Sequence, residues 1–262
     1  MRFLYLGPAR VEVEAGRPAV FRRQKPQLLL AVLLMRRERA VPTQELVREL
    51  WGDAPPRSAR ANLHSYLSSL RTLLADPGAA RLSSGPEGYR VELCGGELDV
   101  ADFEGHTARA REAACQGRPG QAAELYTRAL GLWRGDAFAS MATSRLLRAE
   151  TDRLEELRLT VEDEAMDAHL AAGAHAQAVG EFRERVKEQP FREHRWGALM
   201  LALYRSGRTK EALDAYRALH ALLDTELGVT PTGELRRLHQ AVLSRDPAIA
   251  GAHRPRRSAV PV

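Results

Sequence analysis

Between Arg57 and Ala75 the chain carries three arginines and no acid. Helical spacing puts Leu63, Leu67, Leu70 and Leu74 on one face of this segment. The other side holds Asn62, His64, Ser65, Ser68, Ser69, Arg71 and Thr72. A merely solvated helix face more often carries Glu and Lys in i,i+4 pairs. Short hydroxyls, an amide and an imidazole flanked by Arg60 and Arg71 suit base edges and phosphates in a nucleic-acid groove. His64 reads as a solvent-facing residue or as a base or phosphate contact, and its neighbours favour contact. The chemistry is recognition rather than bond making. No Gly-x-Ser-x-Gly, His-Glu-x-x-His or nucleotide fingerprint occurs, so no enzyme is expected.

The remaining reactive types point nowhere else. His169, His175, His194, His220 and His239 lack ligand spacing and are expected to be structural or surface groups. Glu155-Glu156 and Asp163-Glu164 point apart on a helix and read as a solvated face, not an acid/base dyad. Cys94 and Cys115 make neither a metal cluster nor a disulfide framework and read as small apolar residues. No metal and no cofactor is expected. Trp51 reads as a core residue or a group presented to a partner, core packing being favoured.

Elements must hold the 57–75 face in place. Alternation broken by Gly7-Pro8 and Gly16 predicts strands at 2–6, 10–14 and 18–21. A helix is expected over 24–37, with Pro26 in its first turn and Leu28–Met35 apolar nearly all round. Thr43 is expected to cap a helix running to Leu50, and residues 51–56 to form a stiff loop. A helix over 58–75, ended by Asp76-Pro77-Gly78, leads to a hairpin around Gly85-Pro86-Glu87-Gly88. Strands, three helices and a terminal hairpin make a winged helix-turn-helix.

The charge agrees with an anionic partner. Residues 1–97 hold 15 Arg/Lys against 10 Asp/Glu, so the whole net charge of +5 lies there. Arginine bias across the chain explains that excess equally well. At 262 residues two domains are expected, on a domain length of roughly 150. No apolar run approaches the ~18 residues that span a bilayer. The first residues show no secretory pattern, and the expectation is a cytoplasmic, nucleoid-associated protein without a membrane partner.

From residue 98 the pattern is helical and repeats itself. Gly173, Ala178 and Phe182 recur 34 residues later as Gly207, Ala212 and Tyr216, and earlier as Gly117, Ala122 and Tyr126. Trp196 and Leu199 precede Gly207 at the spacing of a tetratricopeptide repeat. The glycine allows a tight turn, the alanine close approach of paired helices, and the ring fills the gap between pairs. A long helix over 144–170 with i,i+4 ion pairs is expected between copies, and a last helix over 233–244. Domains are placed at 1–94 and 98–245, with 246–262 a disordered tail.

Residues 1–93 resemble the OmpR-type DNA-binding domain through Leu50-Trp51-Gly52, the run Arg60 to Arg71, and Gly88-Tyr89. Joined to the repeats, with Leu154-Glu155-Glu156-Leu157-Arg158 and the run Leu201 to Arg208, the chain is similar to the Streptomyces antibiotic regulatory protein family. In that family the second half is a bacterial transcriptional activation domain. The fold implied is mostly α: an α+β winged helix followed by all-α repeats. With the first strand at the start of the sequence and nothing that matches a phosphate-binding loop, the expectation is a small, single-function member without a receiver domain.

The resemblance implies a sequence-specific activator of a secondary-metabolite, often antibiotic, gene cluster. Arg60, Arg71 and a wing arginine, Arg81 or Arg90, would set the register on phosphates. Arg22, Arg23 and Lys25 would add backbone contacts. Asn62, His64, Ser65, Ser68 and Ser69 would reach base edges, and Tyr66 lies at a contact position in relatives. Many relatives have arginine at Ser69 and Thr72, which implies a different base preference here. The double-stranded DNA would carry direct repeats near the −35 element, bound by a side-by-side homodimer. Trp51, Asp53 and Pro55 would face the RNA polymerase holoenzyme. The alternative is an interaction adaptor that holds a peptide in the repeat domain, with weak or non-specific DNA binding.

Overall fold

The computed structural model describes residues 1–250 except 15, 16, 19, 20, 22, 38, 75–80, 140, 142 and 143. Of residues 13, 14, 17 and 18 it describes the backbone. Strands β1 (Arg2–Leu4), β2 (Arg10–Glu14) and β3 (Arg17–Pro18) form an antiparallel sheet in that order, with Phe3 opposite Val11. β1 stops two residues short of its expected end. The N–H groups of Tyr5 and Leu6 bond instead to the carboxylate of Asp99, at 2.8 and 3.0 Å. Asp99 is buried and also takes Arg134 at 3.2 Å. Burial pushes its carboxyl up, against the opposite pull of the two amides and Arg134.

Helix α1 (Gln24–Met35) buries all of Leu28–Leu34, as its unbroken apolar run requires. Helix α2 (Thr43–Trp51) buries Leu46 and Leu50. Pro42, not Thr43, is its N-cap, and Thr43 is already helical; an extended residue before the first turn is what proline favours. Helix α3 (Ala59–Leu73) buries the stripe Leu63, Leu67 and Leu70, with Leu74 just beyond. The Asp76-Pro77-Gly78 stop lies outside the described residues. Strands β4 (Leu82–Gly85) and β5 (Gly88–Val91) form the expected hairpin.

That hairpin is seated on the α1–α2 connection. Val41 and Tyr89 exchange backbone hydrogen bonds of 2.8 and 3.0 Å. Gly88 has φ +130°, and a Cβ there would lie 2.1 Å from the Val41 carbonyl oxygen. Only glycine lets the two backbones come so close.

Helices α4 (Asp99–Cys115), α5 (Pro119–Leu130), α6 (Arg145–Ala171), α7 (His175–Glu188), α8 (Glu193–Arg205), α9 (Thr209–Leu227) and α10 (Gly233–Ser244) follow. The three repeat glycines open the turns before α5, α7 and α9 with φ of +69° to +79°. Ala122, Ala178 and Ala212 are buried, as are Tyr126 and Phe182, while Tyr216 is half-buried. By contacts the chain forms two compact units, Met1–Thr107 with Arg128–Leu159, and Ala108–Thr127 with Thr160–Val262.

Three further expectations differ from the structure. Asp163 and Glu164 are not a solvated face: Asp163 binds Arg195 at 2.7 Å and Arg192 at 2.8 Å, and Glu164 binds Arg111 at 2.9 Å. Their partners come from other helices, which one helix's spacing does not reveal. Cys94 and Cys115 are exposed free thiols rather than apolar filling. The tail is ordered at its start, where Pro247–Ile249 forms a 3-10 turn and Arg205 holds the Ile249 carbonyl at 3.0 Å. Residues 251–262 lie outside the description.

Candidate nucleic-acid interface

With its leucines inward, α3 turns Arg60, His64, Ser65, Ser68, Ser69 and Thr72 to solvent. Asn62, Tyr66 and Arg71 are half-buried at the margins. Ser69 Oγ donates to the Ser65 carbonyl at 3.0 Å and Thr72 Oγ1 to that of Ser68 at 3.2 Å. These back-bonds park the hydroxyl protons and leave oxygen lone pairs facing out as acceptors. Asn62 Nδ2 donates to Ser58 Oγ at 3.1 Å, which leaves its Oδ1 as an acceptor. Arg60, His64, Ser65 and Ser68 have no side-chain partner among the described residues. The face therefore offers acceptors, hydroxyl donors, an imidazole and a guanidinium, with no carboxylate.

The wing and its arginines sort into two kinds. Arg71 Nε donates to the Leu82 carbonyl at 3.3 Å and ties the end of α3 to β4. Arg81 is paired with Glu97 at 2.9 Å, and Glu97 also accepts the Cys94 N–H at 2.8 Å. Burial alone would raise the Glu97 carboxyl, but the Cys94 amide and Arg81 outweigh it and hold it below the usual carboxylate range. Arg90, on β5, is exposed and has no partner among the described residues. Of the two wing arginines, Arg90 is the one left for an outside anion.

Trp51 and Tyr66 are brought together, a link the sequence reading missed. Their rings stack at 6.1 Å and 18°. Lys25 Nζ sits 4.9 Å from the Trp51 ring centre and donates to the Leu50 carbonyl at 2.5 Å. Trp51 is thus half-buried between α1 and α3, and Lys25 is occupied within the fold. Asp53 and Pro55 are exposed in the turn between α2 and α3. Arg23 is exposed, and Arg22 lies outside the described residues. Among the described residues no group of three or more His, Cys, Asp or Glu could hold a metal ion. No described helix is long and apolar enough to cross a membrane.

Comparison with known proteins places this architecture. Residues 98–243 match the bacterial transcriptional activator domain family. Regulatory protein AfsR of Streptomyces coelicolor is 39% identical over 95% of this chain, which spans a quarter (25%) of AfsR's length. Regulatory protein DnrI of Streptomyces peucetius is 34% identical over 86% of each chain. The solved structure of EmbR from Mycobacterium tuberculosis, in complex with a low-affinity phosphopeptide, superposes with a TM-score of 0.84. It is 30% identical and covers 95% of this chain and 68% of that one.

Fold and relatives define a winged-helix-like module followed by a helical-repeat activator domain, in a class whose members are transcriptional regulators and not enzymes. The chain belongs to the Streptomyces antibiotic regulatory protein family.

Proposed function

We propose that the chain is a sequence-specific DNA-binding activator of transcription that acts in the cytoplasm at the nucleoid. Helix α3 lies in the major groove. Ser65, Ser68, Ser69, His64 and Asn62 read base edges, Tyr66 packs beside them, and Arg60 and Arg90 neutralise phosphates. Arg71 and Arg81 act chiefly by holding the wing to α3 and Glu97. The single observation that carries this reading is the outward face of α3, a helix whose exposed side has no acid and is rich in short polar groups.

Two copies bind direct repeats near the −35 element side by side. The α2–α3 turn, with Asp53 and Pro55 exposed and Trp51 behind them, faces RNA polymerase. Family membership supports these steps and the assignment to a secondary-metabolite gene cluster. The test is a gel shift on a promoter fragment with rising salt. A chain that neutralises ~4–6 phosphates loses affinity steeply. The double change Ser65→Glu and Ser68→Glu puts two carboxylates into the negative field of the groove and abolishes specific binding. Specific binding that survives it removes α3 as the reading helix.

A further inference from the structure

The arginines of α6 are not treated alike. Arg153 binds Glu150 and Glu104, each at 2.6 Å, and Arg158 lies 3.8 Å from Glu155. Arg145 and Arg148, in the first turn, are exposed and have no partner among the described residues. That end of a helix carries the positive pole of its dipole and favours acids, yet the first turn of α6 has none. Two guanidiniums there repel the dipole and each other, so their position is not explained by the stability of α6.

The end of the helix is satisfied without them. Ser144 Oγ accepts the Leu147 N–H at 3.1 Å, and Glu49, reaching across from α2, accepts the Leu146 N–H at 3.1 Å. Glu49 therefore pins the start of α6 to the first helix of the helix-turn-helix. Its neighbour Arg48 is exposed and also has no partner among the described residues. Arg48 and Arg145 share a cleft of about 400 Å³ with Pro42, Gln44, Glu45 and Glu49. Both acids in that cleft are occupied, Glu49 by α6 and Glu45 by Arg36 at 3.7 Å and Arg39 at 4.0 Å. The guanidiniums of Arg48 and Arg145 are the charged groups there that keep no partner among the described residues.

We propose that Arg48, Arg145 and Arg148 form a phosphate-binding surface by which the start of the activator domain grips the DNA backbone beside the groove that α3 reads. The proposal rests on the DNA-binding reading above. In helix-turn-helix proteins the first helix of the motif crosses the backbone, and Arg48 lies on that helix. Arg145 and Arg148 belong to the residues matched by the activator domain family, so that domain contributes to the DNA footprint and not only to protein contacts.

The test is fluorescence anisotropy of the full chain on a specific and a scrambled duplex across a salt series. Changing Arg145 and Arg148 together to Ala lowers the log–log salt slope by about 2 and weakens binding to both duplexes, with sequence preference unchanged. Arg148→Lys keeps most of the slope. Lys187→Ala, an exposed cation on α7, removes one charge far along the sequence and leaves the slope as it was. Matching thermal midpoints show that the variants are folded. An unchanged slope in the Arg145/Arg148 variant, with the unaltered chain still specific, overturns the proposal. So does normal DNA binding with lost retention of polymerase, which would assign the patch to an acidic protein surface. An unaltered chain without sequence preference overturns the DNA-binding reading itself.

Discussion

The role proposed for Ser65, Ser68 and His64 rests on what surrounds them. A serine on a helix is unremarkable until its neighbours exclude acids and its opposite face is locked inward by leucines. Single changes should therefore separate by role. Ser68→Ala is expected to cost about 0.5–1.5 kcal/mol on the matching base pair and to relax preference at that position, measured by binding to a set of single-base variants. Arg90→Ala should weaken all sequences alike and lower the salt slope by about 1. Glu97 makes a pH prediction. Its carboxyl is held low in the folded chain, so its contribution to stability is present above the ordinary carboxylate range and lost as pH falls through the depressed value. Glu97→Gln should flatten the acid limb of the stability curve relative to the unaltered chain, read by urea midpoints at stepped pH.

At the scale of elements, the wing is the most constrained piece. Gly88→Ala would drive a Cβ into the Val41 carbonyl at a backbone angle that L residues avoid. We expect loss of the Val41–Tyr89 bridge, a cost on the order of 1–3 kcal/mol, and weaker DNA binding with preference retained. Hydrogen exchange at the Tyr89 amide reads this directly. The recurring helices carry a second constraint. Arg195, on α8, is fully buried between Glu162 and Asp163, bonded at 2.8 and 2.7 Å. Arg195→Ala takes one of its guanidinium partners from the buried Glu162, which keeps Arg185 at 2.7 Å, and should cost up to roughly 3 kcal/mol in urea unfolding, whereas Arg195→Met should cost less when paired with Glu162→Leu.

These elements also show which parts of the fold are legible in sequence. The α3 stripe, the hairpin at Gly85–Gly88 and the Gly-Ala-aromatic repeats are local patterns with a period, and each has its counterpart in the structure. Asp99 capturing Tyr5 and Leu6, Arg195 reaching Glu162, and Trp51 stacking on Tyr66 are pairings between separate elements, and no spacing within one element announces them. The same limit applies to the candidate site. The polar face of α3 was readable from composition and period, while the engagement of Arg71, Arg81 and Lys25 inside the fold was not.

For the whole molecule, the proposed function is that of a regulator that finds particular promoters and holds polymerase there, in a chain with a winged-helix-like part followed by helical repeats. Charge is distributed to suit this, with the excess in residues 1–97 and a balanced remainder in which Arg111, Arg183, Arg185 and Arg195 are held in ion pairs. Such a chain should occupy few chromosomal sites, spaced as direct repeats. Chromatin immunoprecipitation of the tagged chain, run beside the Ser65→Glu/Ser68→Glu variant, tests this most directly. Sharp peaks at repeated sites beside −35 elements, with polymerase enriched at the same promoters, and their disappearance in the variant are the expected result. Flat occupancy in both, or the same peaks in both, would contradict it.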